Sequence, residues 1–140
     1  MATNPPTNVQ FTNSSGEILY LNAVNIWVGP PQSYIPLKIP VGPTVGVTQQ
    51  GSVVGIEYKF KDNYSLIVAW INNGVSNKVY AQILPAGTGS QSVQWARIKE
   101  SVEKSGNSFD TANLYGYRCA LVIDTVGPTP TLGATFSQAT

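Results

Sequence analysis

The chain has 140 residues, of which 42% are hydrophobic and only 11% charged, less than half the ~25% charged share of an ordinary globular protein. Eight Lys and Arg against seven Asp and Glu leave a formal charge of +1, too little and too scattered for the basic surface that nucleic acid requires. Histidine is absent and Cys119 is the single cysteine, which excludes Ser-His-Asp and Cys-His triads, an intramolecular disulfide and the usual zinc sites.

The length fits one domain, read as residues 8–140 after a loose lead-in over 1–7. No run approaches the ~20 apolar residues of a membrane-spanning helix. The opening MATNPPTNVQF has neither the basic nor the apolar region of a signal peptide. The expected location is therefore the cytoplasm, with the vacuole as the alternative. Thirteen Gly and ten Pro punctuate the chain, so it reads as short strands between frequent turns.

Asn8 to Thr12 alternates Val9 and Phe11 with polar residues, a half-buried strand. Asn13-Ser14-Ser15-Gly16 is a turn cluster, and EILYLNAVNIWV (17–28) is a long β-rich run. Together they predict a hairpin. GPPQSYIPLKIPVGP (29–43) carries five prolines and predicts an ordered loop or edge segment, because proline cannot donate to a ladder. A short strand follows over Val45 to Gln49. Ser52 to Phe60 then sets Val54, Ile56, Tyr58 and Phe60 on one side. After the Lys61-Asp62-Asn63 turn, Tyr64 to Ile71 reads as a strand covered on both faces. Asn72-Asn73-Gly74 turns it back into Lys78 to Leu84.

Ser92 to Lys104 changes period. Trp95, Ile98 and Val102 fall on one helical face, with Arg97, Glu100, Glu103 and Lys104 opposite. Ser92 is a candidate cap, and Glu100 precedes Lys104 by four residues. Ser105 to Leu114 reads as a polar loop. Tyr115 to Asp124 and Thr131 to Phe136 read as the closing strands. The expected fold is mostly β: a single antiparallel β-sandwich or flattened barrel of about eight strands with one short helix.

Candidate site residues are aromatic and amide. Trp27 and Tyr34 flank the Pro-rich loop, where a ring is hard to bury and can cover the C–H face of a sugar. Asn72, Asn73, Asn77 and Gln82 sit around one hairpin, with Asn107 and Asn113 in a later loop, and neutral amides donate and accept, which suits hydroxyl recognition. The plainer alternatives are that the rings pin the loop and the amides form turns. Glu57 and Asp124 lie within apparent strands, so burial of either would perturb it. Asp62 and Asp110 are loop acids without the spacing of a calcium loop. Cys119, in YRCALVI, reads as a buried, inert thiol with Arg118 on the opposite face.

FTNSSGEILYLN (11–22), GSVVGIEYKF (51–60), SLIVAWINNGVSNKVYAQI (65–83) and VQWARIKES (93–101) together resemble the plant jasmonate-induced protein family over about residues 8–123. The chain lacks the N-terminal helical region of typical members and has neutral residues where they favour Trp or charge. The resemblance implies a cytosolic or vacuolar stress or defence protein and carries over no catalytic residue.

The leading functional expectation is a non-enzymatic, lectin-like module that needs no cofactor or metal and recognises a neutral glycan or small molecule. One alternative is a membrane-perturbing sandwich using Trp27, Tyr34, Ile35, Leu37 and Ile39 as an apolar lip beside Lys38. Another is an isomerase- or cyclase-like barrel around a buried carboxylate. Low charge and open strand edges favour homo-oligomers.

Overall fold

A computed structural model describes residues 6–85, 94–125, 127 and 129–139. Its elements in chain order are β1 (Pro6–Ser14), β2 (Leu19–Val28), β3 (Lys38–Ile39), β4 (Val45–Gln50), β5 (Val53–Phe60), β6 (Tyr64–Ile71), β7 (Lys78–Leu84), α1 (Trp95–Glu103), β8 (Ser108–Asp110), β9 (Tyr117–Ile123) and β10 (Thr131–Gln138). They form two five-stranded sheets, β4-β1-β10-β9-β8 and β3-β2-β5-β6-β7. These are here called sheet A and sheet B. The two stack as a sandwich, and eight of the ten strands are six residues or longer. Pairing is antiparallel except between β1 and β10, which run parallel with Asn8 opposite Thr131. Of the lead-in, Pro6 and Thr7 already belong to β1, and Thr7 is fully buried.

The hairpin expected from residues 8–28 does not form. β1 pairs with β4 and β10, whereas β2 pairs with β3 and β5, so the chain arches from one sheet into the other. Val9, Phe11 and Leu19 all point inward from facing layers, an alternation that a hairpin and an arch share. Asn13 decides between them. Its buried Nδ2 donates to the carbonyls of Glu17 (2.7 Å) and Ile39 (3.3 Å). Its Oδ1 accepts from the Ser15 N–H (3.1 Å) and hydroxyl (2.7 Å). One side chain thereby replaces the ladder bonds that a hairpin would supply.

The Pro-rich stretch behaves as an edge. Only Lys38 and Ile39 pair, against Tyr20 and Leu19, and Ile35 and Ile39 are buried in the core.

Val54, Ile56, Tyr58 and Phe60 of β5 and Leu66, Val68 and Trp70 of β6 face Val9, Phe11, Cys119, Leu121, Leu132 and Phe136 of sheet A. Each large apolar side chain so buried contributes about 1.5–3 kcal/mol. The unbroken apolar run of β6 has a second reason. Its alternate residues Ile67, Ala69 and Ile71 pack under Ile98 and Val102 of α1.

The helix is shorter than the sequence window. It begins at Trp95 after Gln94, with no side-chain cap, and Ser92 lies outside the described residues. Its ion pair joins Lys99 to Glu103 at 3.6 Å. Trp95 meets Trp27 edge-on at 5.9 Å and 73°, directly over Gly55 of β5. The stretch read as a polar loop contains β8, which pairs with β9 from Ser108↔Val122 to Asp110↔Ala120.

Candidate functional site

The candidates named from sequence do not converge. Trp27 lies half-buried on the outer face of sheet B, among the residues that seat α1. Tyr34 belongs to a loop tied to sheet A. Its N–H donates to Gln49 Oε1 at 2.7 Å, and the ring is 60% exposed. The hairpin amides divide. Asn72 is buried and donates to the Pro6 carbonyl and the Thr7 hydroxyl, each at 3.0 Å. Asn77 is buried too: its Nδ2 donates to the Asp124 carbonyl at 2.7 Å, while its Oδ1 accepts from the N–H groups of Asn73 and Gly74. Asn73 is exposed, with Oδ1 accepting from Val75 and Ser76 N–H (2.9 and 2.7 Å). Asn72 and Asn77 thus close the sandwich end through the protein's own groups.

The buried acid Glu57 and the Tyr58 phenol are likewise engaged, and the Cys119 thiol is buried. Glu57 is 3% exposed and accepts from Asn22 Nδ2 (2.9 Å) and Ser65 Oγ (2.7 Å), with Lys59 Nζ at 3.4 Å. Its surroundings are polar, unlike the apolar cavity that the barrel-enzyme expectation requires. Asp124 is exposed, and its Oδ2 accepts from Thr131 N–H. Burial among apolar neighbours, with a smaller push from the Asp110 charge, raises the Cys119 thiol to about 12. Burial also raises the Tyr58 phenol, whose hydroxyl donates to the Pro36 carbonyl at 2.7 Å. Among the described residues no group of three or more Cys, Asp or Glu is placed to hold a metal.

The surface offers two features. The first is an open cleft of about 490 Å³ lined by Asp110, Ala112, Asn113, Arg118, Ser137, Gln138 and Ala139, within the size range of small-ligand sites. It sits on sheet A where β8 ends and β9 begins, beside the last residues of β10. Arg118 and Ser137 are register partners there, both on the outer face because Tyr117, Cys119 and Phe136 point inward. Arg118 Nε donates to both Asp110 oxygens (2.9 and 3.0 Å), and its Nη2 donates to Asp110 Oδ2. These bonds hold the Asp110 carboxyl below the usual carboxylate range. Asp110 Oδ1 also accepts the Ala112 N–H (2.8 Å), and Asn113 Oδ1 accepts the Gly116 N–H (2.9 Å). The 111–116 loop is shaped by its own side chains, with Ala112 and Tyr115 at φ 56° and 58°, a conformation that L-residues rarely adopt.

The second feature is a partly apolar rim at the end where β1 and β10 finish. Ile18, Tyr20, Val41 and Tyr115 are exposed and Leu37 is 78% exposed. Lys38 lies 6.0 Å from the Tyr20 ring, and Lys61 lies 5.8 Å from that of Tyr64. Of the lip expected from the Pro-rich segment, Leu37, Lys38 and Tyr34 are at the surface. Ile35 and Ile39 are core, and Trp27 is at the helix seat.

No protein-family model matches the sequence, and no curated protein matches it. Solved structures do. The lipid-binding protein Nakanori superposes with a TM-score of 0.80 at 12% identity, over 98% of this chain and 73% of its own. A lectin from Xerocomus chrysenteron superposes with a TM-score of 0.60 at 11% identity, over 94% and 99%. A mutated form of that lectin gives 0.55 at 12% identity. The likeness is one of fold. It matches the two-sheet architecture built above and assigns no residue a role.

Sequence reading reached Asn113 but missed the rest of the cleft, because Asp110 and Arg118 meet through the β8–β9 pairing and β8 is too short and polar to announce itself. The available signal was their separation of eight residues around a loop containing Asn113 and Gly116.

Proposed function

We propose that this chain is a non-enzymatic binding protein for a neutral, hydroxyl-rich ligand, with carbohydrate as the leading class. The observation that carries the proposal is the open polar cleft on sheet A, lined by amide and hydroxyl groups and by the paired Asp110 carboxylate and Arg118 guanidinium. The buried Glu57 carboxylate and the Tyr58 hydroxyl, by contrast, are bonded within the scaffold. A fold shared with one protein named for lipid binding and another named a lectin supports a binding role. The plant stress or defence setting rests on the resemblance to the jasmonate-induced family alone. A glycan array read together with light-scattering mass tests the proposal. Selective binding to one sugar class supports it; a blank array from folded protein refutes it.

The rim of Tyr20, Leu37, Val41 and Tyr115 beside Lys38 and Lys61 favours a second reading, contact with a lipid surface. Tyrosine and lysine side chains suit a membrane interface, with rings at headgroup depth and ammonium groups in water. Sedimentation with neutral, anionic and sterol-rich vesicles tests it, and absence from all three pellets removes it.

A further inference from the structure

We propose that the Asp110–Arg118 cleft is a hexose-binding site that recognises neighbouring hydroxyls of a neutral sugar and discriminates against anions. This inference rests on the carbohydrate reading above and assigns it a place. A guanidinium has five N–H donors. The Nε donor and one Nη2 donor are committed to Asp110, which leaves three in the fork that borders the cleft. Asp110 fixes the plane of that fork, so the donors are oriented before a ligand arrives.

The other lining residues supply complementary groups. Gln138 is anchored through its Nε2, which donates to the Ser15 carbonyl at 2.8 Å, so its Oε1 remains as acceptor. Asn113 is anchored through Oδ1 to Gly116, so its Nδ2 remains as donor. Ser137 adds a hydroxyl. The Ala139 N–H donates to the Gly116 carbonyl at 2.9 Å and ties the end of β10 to the 111–116 loop. Donors and acceptors bordering one cleft suit vicinal hydroxyls, each of which can donate and accept.

Charge sets the ligand class. An anion approaching Arg118 would also meet the Asp110 carboxylate bonded to the same guanidinium, so the two Coulomb terms largely cancel. A hydroxyl loses nothing by that cancellation. Beyond the cleft, Ala120 of β9 and Thr135 of β10 are register partners on the outer face. These short side chains leave room for a second sugar unit along the sheet.

The test is an amide-resolved NMR titration with galactose, N-acetylgalactosamine, N-acetylglucosamine and mannose, and in parallel with inorganic phosphate. The site predicts saturable shifts confined to residues 110–118 and 137–139 for at least one sugar, insensitive to salt. Arg118→Met should weaken that sugar about tenfold or more. Arg118→Lys, which keeps the charge and loses the fork, should weaken it comparably. Val75→Ser, at the opposite end, should leave affinity unchanged, and native-like spectra identify variants that fold. Sugar shifts that map elsewhere, or full affinity in both Arg118 variants, overturn the site while the carbohydrate reading stands. No shift with any sugar together with a blank array overturns both. Phosphate binding in the cleft that weakens with salt overturns the neutral-ligand assignment.

Discussion

Gly55 offers a quantitative test of how the helix is seated. A methyl group added there would lie 2.8 Å from the Trp95 ring and 3.0 Å from that of Trp27. Carbon atoms pack at about 3.5–4.0 Å, so Trp95 must retreat by roughly 1 Å, and α1 with it. Overpacking of this kind costs about 1–3 kcal/mol. Replacing a strand glycine recovers about 0.5–1 kcal/mol of backbone entropy. Gly55→Ala should therefore destabilise the fold by about 0.5–2 kcal/mol in urea titrations. Trp95→Leu alone weakens the helix contact but removes the nearer ring. In that background the Gly55→Ala penalty should shrink by about half, leaving a double-mutant coupling of roughly 0.25–1 kcal/mol. An equal Gly55→Ala cost in both backgrounds would show that the tryptophan does not set the glycine requirement.

Asn13→Ala should cost about 2–4 kcal/mol of unfolding free energy, since it strands the buried groups that the amide satisfies; a loss below 1 kcal/mol would deny Asn13 its role at the arch. The Cys119 thiol is held protonated to about 12, whereas in the unfolded chain it ionises near 8.5. The unfolded state thus releases a proton that the fold retains. Stability should fall from about pH 8.5 upward, by at most ~1.4 kcal/mol per unit, and Cys119→Ala should flatten that slope in urea titrations between pH 8 and 10. Asp110 has the opposite sign. Its hydrogen bonds from Arg118 and from the Ala112 N–H lower its folded value, so its contribution is present above about pH 3.9 and lost as pH falls further. Asp110→Asn should reduce the acid-side decline of the melting temperature, and an unchanged acid limb would show that the pair does not act on stability.

Strand identity was legible where periodicity and packing agree. The alternation in β5 places Val54, Ile56, Tyr58 and Phe60 inward as expected, and the continuous apolar run of β6 is covered by sheet A on one face and α1 on the other. What joins to what was less legible. The segments around Asn13 carry the same alternation for a hairpin or an arch, and one of the bonds that decide it, from Asn13 to the Ile39 carbonyl, reaches far along the chain. The amides illustrate the same limit. Asn72, Asn73 and Asn77 look alike in sequence, yet only Asn73 faces solvent, because Pro6 and Asp124 arrive to take up the other two. The cleft depends on a three-residue strand whose pairing with β9 no local pattern encodes.

The parallel pairing of β1 with β10 bears on the order in which the protein assembles during synthesis. Strands β2, β3, β5, β6 and β7, all of sheet B, are available before β8 has left the ribosome, and they contain the β5-β6-β7 meander. In sheet A, β1 and β4 emerge early, but β10, the other neighbour of β1, emerges after every other strand. Until then the inward faces of Val54, Ile56 and Leu66 lack much of their cover, so a stalled nascent chain displays an apolar sheet that chaperones can bind.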